Sequence, residues 1–457
     1  MIKRSLSDIC EMVKGHGLNQ AYNSYPISGV SIDTRTLSAG NLFIPIMRID
    51  NGHNYVQEAF DKGAAASLWQ MDQPNPPKGI PIIFVENTLK ALQSLARTYR
   101  NQLNSKIIGV TGSNGKTTTK DMIFSIVSTT YKTQKTLGNY NGEYGLPLTL
   151  LELEEDTEVA ILEMGMSNPG EIKLLSEIAR PDIAMITMIG VSHISTMGSK
   201  EAISRAKLEI LTGLNQEGTF IYNGDEPLLS NELTKLKIPE SLKIIRFGES
   251  SDNHYYPVRE EQSDEGIHFI LNDREEYVIP MLGKHNVFNA IASIAAAKEL
   301  KISLKNIKSG LQSIVITEMR MQQIKTKLGY TIINDAWNAS PVSMKAAIQT
   351  MTELTGYKRK IVVLGDMLEL GVNEAQYHKE IGQVIKYGLV DYVFTIGTLS
   401  EHISNQLSES FPSTHVKHFI SSQELVDHID NVIEENDVIL FKGSRGMKLE
   451  EVVRKLT

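Results

Sequence analysis

The run Gly109-Val110-Thr111-Gly112-Ser113-Asn114-Gly115-Lys116-Thr117-Thr118-Thr119 holds the residue types that grip phosphate. An apolar segment, residues 107–110, leads into two glycines whose bare backbone lets N–H groups approach anionic oxygens. A lysine and a hydroxyl then open a predicted helix, with Lys116 suited to the outer phosphates of ATP and Thr117 to Mg2+. The spacing is unusual. A common phosphate loop has four residues between its glycines, whereas two separate Gly112 from Gly115, and Val110 stands where the first glycine would fall. On the loop alone, a glycine turn that happens to carry Lys-Thr is the competing reading.

Other chemically able residues fall beyond apolar runs. Glu163 follows residues 159–162, in Glu163-Met164-Gly165. A carboxylate at a strand end, in the same sheet as a phosphate loop, is suited to Mg2+, an ion that takes few protein oxygens and keeps several waters. His193 closes Gly190-Val191-Ser192-His193 after the next apolar run, 183–189. A lone histidine there is more often a hydrogen-bonded loop residue, but its place beside Glu163 makes it a ligand candidate. Lys207 lies on a helical stretch, 200–214, where its neighbours alone do not distinguish it from a surface lysine.

The elements that must position these groups are continuous apolar runs separated by amphipathic helices. Runs at 107–110, 159–164, 183–189 and 219–222 predict strands buried on both faces of a mostly parallel sheet. The rhythm repeats at 330–334, 360–364, 392–396 and 438–441, predicting a second α/β unit. Ahead of both, shorter β-like pieces (29–32, 42–46, 80–85) and helical patterns at 55–62 and 88–103 predict a smaller unit. The domains are therefore placed at 1–102, 103–317 and 318–457, in keeping with a 457-residue chain. Ligands are expected past the C-terminal ends of the strands.

Composition narrows the class. Lys and Arg number 46 against 54 Asp and Glu, a net charge of -8 that argues against a nucleic-acid-binding face. Cys10 is the only cysteine, so neither an internal disulfide nor a cysteine zinc cluster can form. The first fifteen residues mix charges with apolar residues at helical spacing, and no apolar run is long enough to span a bilayer, so a cytoplasmic protein is expected.

These residues together resemble the Mur ligases, ATP-dependent amide-forming enzymes of peptidoglycan precursor synthesis. The family's shortened loop, Thr-Gly-x-Asn-Gly-Lys-Thr-Thr, matches Thr111 to Thr118 and accounts for the displaced glycine. The resemblance implies that Gly112, Ser113, Asn114, Gly115, Lys116, Thr117 and Thr118 hold ATP. It also implies that Thr117, Glu163, His193 and a carbamylated Lys207 (in Ala-Lys-Leu-Glu-Ile) serve Mg2+, with Lys116, His193, Lys207 and Arg320 as the catalytic set. Asn286 and Asn289 match the adenine-contact helix, although a capped core helix is the stronger reading of those residues alone. Arg320 matches an arginine brought onto ATP by the third domain, and Asp335 an acidic residue on the ribose and phosphate side. Met319 stands where a glycine usually precedes that arginine, and Trp337 replaces the usual tyrosine.

The fold implied is α/β throughout: a small UDP-binding domain, a central parallel-sheet ATPase domain and a C-terminal Rossmann-like domain that closes on ATP and the incoming substrate. Ser31, Asp33, Thr34 and Arg35, with Gly52 and His53, resemble the loops that receive a UDP-linked peptide. The Asp-Asn-Pro-Arg motif of the third-residue-adding enzyme is absent. Residues 365–371 and the Lys442, Ser444, Arg445 loop resemble instead the branch that joins D-alanyl-D-alanine to UDP-N-acetylmuramoyl-tripeptide. Another amide ligase of the superfamily, third-residue-adding or folylpolyglutamate-type, is the alternative, and a monomer without nucleic-acid partners is expected.

Overall fold

The computed structural model describes residues 1–263 and 265–457. The central sheet has six strands, all parallel, in the order Lys243–Phe247, Thr219–Asn223, Ile183–Ile186, Lys106–Thr111, Val159–Glu163, Thr133–Lys135. Its middle strands are apolar and buried because helices cover both faces. The phosphate-loop strand, Lys106–Thr111, lies between those that end in Glu163 and Ile186, so all three deliver their following loops to one edge.

The C-terminal sheet also has six strands, in the order Gln322–Lys325, Thr331–Asn334, Val438–Lys442, Lys360–Gly365, Tyr392–Ile396, Val416–Phe419. Only its first edge strand is antiparallel. The N-terminal domain carries a four-stranded parallel sheet, ordered Val30–Ser31, Leu42–Phe43, Ala66–Gln70, Ile82–Val85. Among the described residues no helix is long and apolar enough to cross a membrane.

Several elements had no clear signal in the sequence. The edge strands Thr133–Lys135 and Lys243–Phe247 carry lysines and are only partly buried, since an edge strand covers less of the core. A three-stranded antiparallel meander, Pro257–Ser263, Gly266–Leu271 and Glu276–Ile279, interrupts the parallel rhythm. Its first strand is mostly exposed and charged, so it shows no apolar run. The predicted helix at 200–214 divides into an α-helix, Lys200–Leu208, and a 3-10 turn, Glu209–Thr212.

The phosphate-loop helix, Lys116–Val127, is buried against helices His285–Glu299 and Leu304–Gln312. At its crossing with the latter stands Gly310, where an added Cβ would collide with the backbone of Ile126. Gly310→Ala is therefore expected to destabilise the protein by about 1–3 kcal/mol through overpacking. Thermal unfolding measures this, and an unchanged midpoint would mean that the two helices separate at no cost.

Candidate active site

The phosphate loop is shaped by two glycines. Gly115 caps the helix in the left-handed region (φ 82°), which disfavours a side chain. Gly112 passes so close to Thr187 that a Cβ would collide with the threonine hydroxyl. Lys116 folds back across the loop and donates to the Gly112 carbonyl at 2.8 Å. Burial lowers its pKa, and the Glu163 carboxylate opposes that shift.

Around the loop a cavity of about 260 Å3 gathers Lys116, Thr117, Glu163, His193, Lys207 and Arg320. Glu163, 2% exposed, accepts from Thr117 Oγ1 at 2.9 Å and from Asn141 Nδ2 at 2.8 Å. Lys207, 3% exposed, has no hydrogen-bond or ion-pair partner for its amine among the described residues. Desolvation, aided by the Lys116 charge, pushes its pKa well below the ordinary lysine value. His193 adopts a left-handed backbone (φ 61°), and its Nδ1 lies 2.7 Å from Glu369 of the C-terminal domain. Burial lowers the His193 pKa, the Glu369 carboxylate working against it.

Arg320 reaches this cavity from the segment that enters the C-terminal sheet. Its Nη2 donates to Thr117 Oγ1 at 3.2 Å, while its buried Nε has no partner. An unmet buried donor costs roughly 1–3 kcal/mol, a cost that an incoming anion removes. Met319 and Met321, on either side, have φ of 61° and 52°. Left-handed backbone in a side-chain-bearing residue costs about 1–2 kcal/mol, which explains why a glycine is the common predecessor of such an arginine. Backbone hydrogen bonds hold the bend: Met319 donates to Gln322 Oε1, Trp337 N–H to the Met319 carbonyl, and Met321 N–H to Asp335 Oδ1.

Asp335 is also ion-paired to Lys442, which is 2% exposed and further tied to the Asn338 carbonyl. Lys442 is thus turned toward Asp335 rather than outward. Ser444 is buried, its hydroxyl accepting from Leu368 N–H at 2.9 Å, and Arg445 is ion-paired with Glu450 at 2.9 Å. The Trp337 ring has the Arg445 guanidinium 4.9 Å and that of Arg320 5.7 Å from its centroid.

The predicted UDP-side residues lie around two further cavities. One, of about 590 Å3, opens between Ser31, Asp33 and Arg48 of the N-terminal domain and residues 139–142, 144 and 145 of the central domain. The other, of about 800 Å3, is lined by Asp33, Thr34, Arg35 and Gly52. Hydrogen bonds from Arg35 hold the Asp33 pKa at about 2, and Thr34 donates to Glu58. His53 is buried, with Nδ1 at 2.8 Å from Asn51 Oδ1 and Nε2 accepting from Gln70 N–H, so it braces the loop from inside.

Asn286 and Asn289 do not line the loop cavity. Asn286 Nδ2 donates to the Leu282 carbonyl, Asn289 Nδ2 to Asn286 Oδ1, and Thr119 Oγ1 to Asn289 Oδ1. These amides form a polar seam between their helix and the phosphate-loop helix. Asn141 and Glu369 contact the predicted ligands from loops of their own: Asn141 carries no signal in the sequence, and Glu369 lies in the 365–371 string, where spacing gives it no separate role. The donor set fits Mg2+. A carboxylate and a hydroxyl stand together beside the loop, while among the described residues no three His, Cys, Asp or Glu side chains form a closed metal cage. A triphosphate is fitted by the unpartnered Arg320 Nε and the surrounding cations.

Comparisons with known proteins bear on the family and the fold. Residues 110–297 match the Mur ligase middle domain and residues 319–445 the Mur ligase glutamate ligase domain. The chain is 49% identical to the UDP-N-acetylmuramoyl-tripeptide--D-alanyl-D-alanine ligase of Bacillus subtilis, covering 100% of this chain and 99% of that protein. Among solved structures, MurF from Acinetobacter baumannii superposes with a TM-score of 0.88 at 28% identity, covering 100% of this chain and 99% of the other. MurF from Thermotoga maritima in complex with ADP gives 0.81 at 26% identity, covering 93% and 96%.

The unpartnered Lys207 amine makes a stability prediction. Its lowered pKa means that the folded state binds fewer protons than the unfolded state between the two pKa values. The resulting penalty is fully present below the folded value and vanishes above the unfolded one. Lys207→Met should therefore raise the melting temperature at pH 7 in CO2-free buffer, by an amount that shrinks as the pH rises toward 10. A lower melting temperature at pH 7 would show that the amine is not buried uncompensated.

Proposed function

The chain belongs to the Mur ligase family, and from that premise we propose that it joins D-alanyl-D-alanine to UDP-N-acetylmuramoyl-tripeptide with cleavage of ATP to ADP and phosphate. The full-length likeness to a relative bearing that name, N-terminal domain included, carries the choice of substrates over those of other amide ligases in the family. The convergence of Lys116, Glu163, Lys207 and Arg320 on one cavity supports the chemistry.

The terminal carboxylate of the tripeptide attacks the γ-phosphorus of ATP, giving an acyl phosphate and ADP. The free amine of D-alanyl-D-alanine then attacks the acyl carbon and loses a proton, and the tetrahedral intermediate collapses to amide and phosphate. Two anions must approach in the first step, so the protein's work is mostly charge neutralisation and positioning. Lys116 supplies positive charge from the loop side and Arg320 from the C-terminal side. Both are desolvated, which strengthens their pull on phosphate oxygens. Trp337, between Arg320 and Arg445, lines the cavity and helps exclude water from an acyl phosphate that water would destroy.

Thr117 and Glu163 would hold Mg2+, which when bound neutralises charge on the phosphate oxygens. The depressed pKa of Lys207 favours the neutral amine, the form that adds CO2, and the resulting carbamate would be an anion able to serve a second Mg2+ beside His193. For His193 to serve, its contact with Glu369 must open. Ser31, Asp33, Thr34 and Arg35 would receive the UDP end, and Arg445, over the Trp337 ring, would meet the dipeptide. Asn286 and Asn289 would contact adenine, and the seam they form with Thr119 would hold the phosphate-loop helix.

Purified protein with ATP, Mg2+ and UDP-N-acetylmuramoyl-tripeptide should release phosphate only when D-alanyl-D-alanine is added. Phosphate release with a free diamino acid and the UDP-dipeptide instead would assign the third-residue-adding activity. Lys116→Ala should lower kcat by at least 1,000-fold, on the order expected for losing a buried charge on the transition state. Lys207→Ala should lose most activity and regain part of it with added acetate or another small carboxylic acid. Absence of rescue would remove support for the carbamate.

A further inference from the structure

The segment joining the central and C-terminal sheets is tied to the phosphate-loop helix at a residue outside the chemistry above. Asp121 lies on helix Lys116–Val127 and is 1% exposed. Its Oδ2 accepts from both the backbone N–H of Thr317, at 2.9 Å, and the Thr317 hydroxyl, at 2.7 Å. Its Oδ1 accepts from Lys135 Nζ at 2.7 Å, and Lys120 Nζ stands 3.5 Å away. Three residues after Thr317 comes Arg320, which returns to the same helix by donating to Thr117 at 3.2 Å.

Thr117 and Asp121 are four residues apart, hence on one helix face and about 6 Å apart along its axis. The linker is therefore pinned at both ends of one helical turn, and between the pins the left-handed Met319 bends the chain toward the loop. A buried carboxylate is costly to desolvate, and apolar packing would join the elements at less cost. What the carboxylate adds is direction, because two donors from one residue meet a single oxygen and fix where Thr317 sits.

We propose that Asp121 is a positioning residue that, by holding Thr317, sets the point from which Arg320 is delivered onto the phosphate loop. This rests on the reading that Arg320 meets the phosphates of ATP. Asp121 thereby couples the helix that grips the nucleotide to the placement of the C-terminal domain's arginine.

The test uses the full-length enzyme and pairs Thr317→Val, which removes the hydroxyl but keeps the amide, with Thr317→Ser, which keeps both donors. Thr317→Val is expected to lower kcat about tenfold, the scale of a small misplacement, with KM for ATP changed less than twofold. Thr317→Ser should return kcat to within twofold of the parent. In an Arg320→Ala background, Thr317→Val should cause no further loss of residual turnover, since the residue it positions is gone. An equal tenfold loss with and without Arg320, or failure of serine to restore kcat, would overturn the proposal. If the parent enzyme shows no dipeptide-dependent phosphate release, the ligase reading fails by itself, and amide exchange then judges the tie. Asp121→Asn should speed exchange at residues 317–321 by tenfold or more while helix Lys116–Val127 keeps its protection. Unchanged exchange there would refute the tie.

Discussion

The site is organised by an excess of positive charge held close to one buried carboxylate. Lys116, Lys207 and Arg320 converge on the loop cavity with Glu163, and burial lowers the pKa of each of the three cations. Such an arrangement is incomplete without anions. Its unmet donors are costs to the free protein that phosphate, carboxylate and carbamate would relieve, so the energy stored in desolvated cations becomes binding energy where negative charge must be gathered. Carbamylation of the neutral Lys207 amine would place an anion at the position with no other partner.

The fold supplies this crowding through three adjacent parallel strands, whose following loops carry the phosphate cradle, Glu163 and His193 to a common edge. Arg320 must come from elsewhere, and the contacts that bring it include Arg320 to Thr117, Ser340 to Asn114 and Glu369 to His193, beside apolar packing of Val191 and Leu282 into the C-terminal core. Of these polar contacts only Ser340 to Asn114 is a neutral hydrogen bond, worth about 0.5–1.5 kcal/mol, and the other two engage charged side chains that substrate anions can draw away from the C-terminal domain. The linker is bent by left-handed methionines and pinned by Asp335 and Asp121, which makes the approach of Arg320 directional.

How much could be read beforehand depended on locality. The central strands were legible because strands buried on both faces must be continuously apolar. The meander at 257–279 was not, since an exposed antiparallel strand of charged residues has no apolar run to display. The phosphate loop was legible because glycine, lysine and threonine act together within a few residues. Lys207 was opaque from its neighbours, as its peculiarity is burial without a partner, and burial is decided by packing from the rest of the chain.

By itself the sequence determined the α/β class, the phosphate cradle and, through the spelling of that cradle, the family. These depend on residue type and short spacing, which the chain carries locally. Only the tertiary structure decided that Asn286 and Asn289 are bonded to one another and to the phosphate-loop helix, that Lys442 is paired with Asp335, that His193 faces Glu369, and that Asp121 holds Thr317. Each of these turns on a partner from another element. A polar side chain near a site can serve a ligand or a neighbour, and which it does is settled by the donors and acceptors that folding brings within about 3 Å of it.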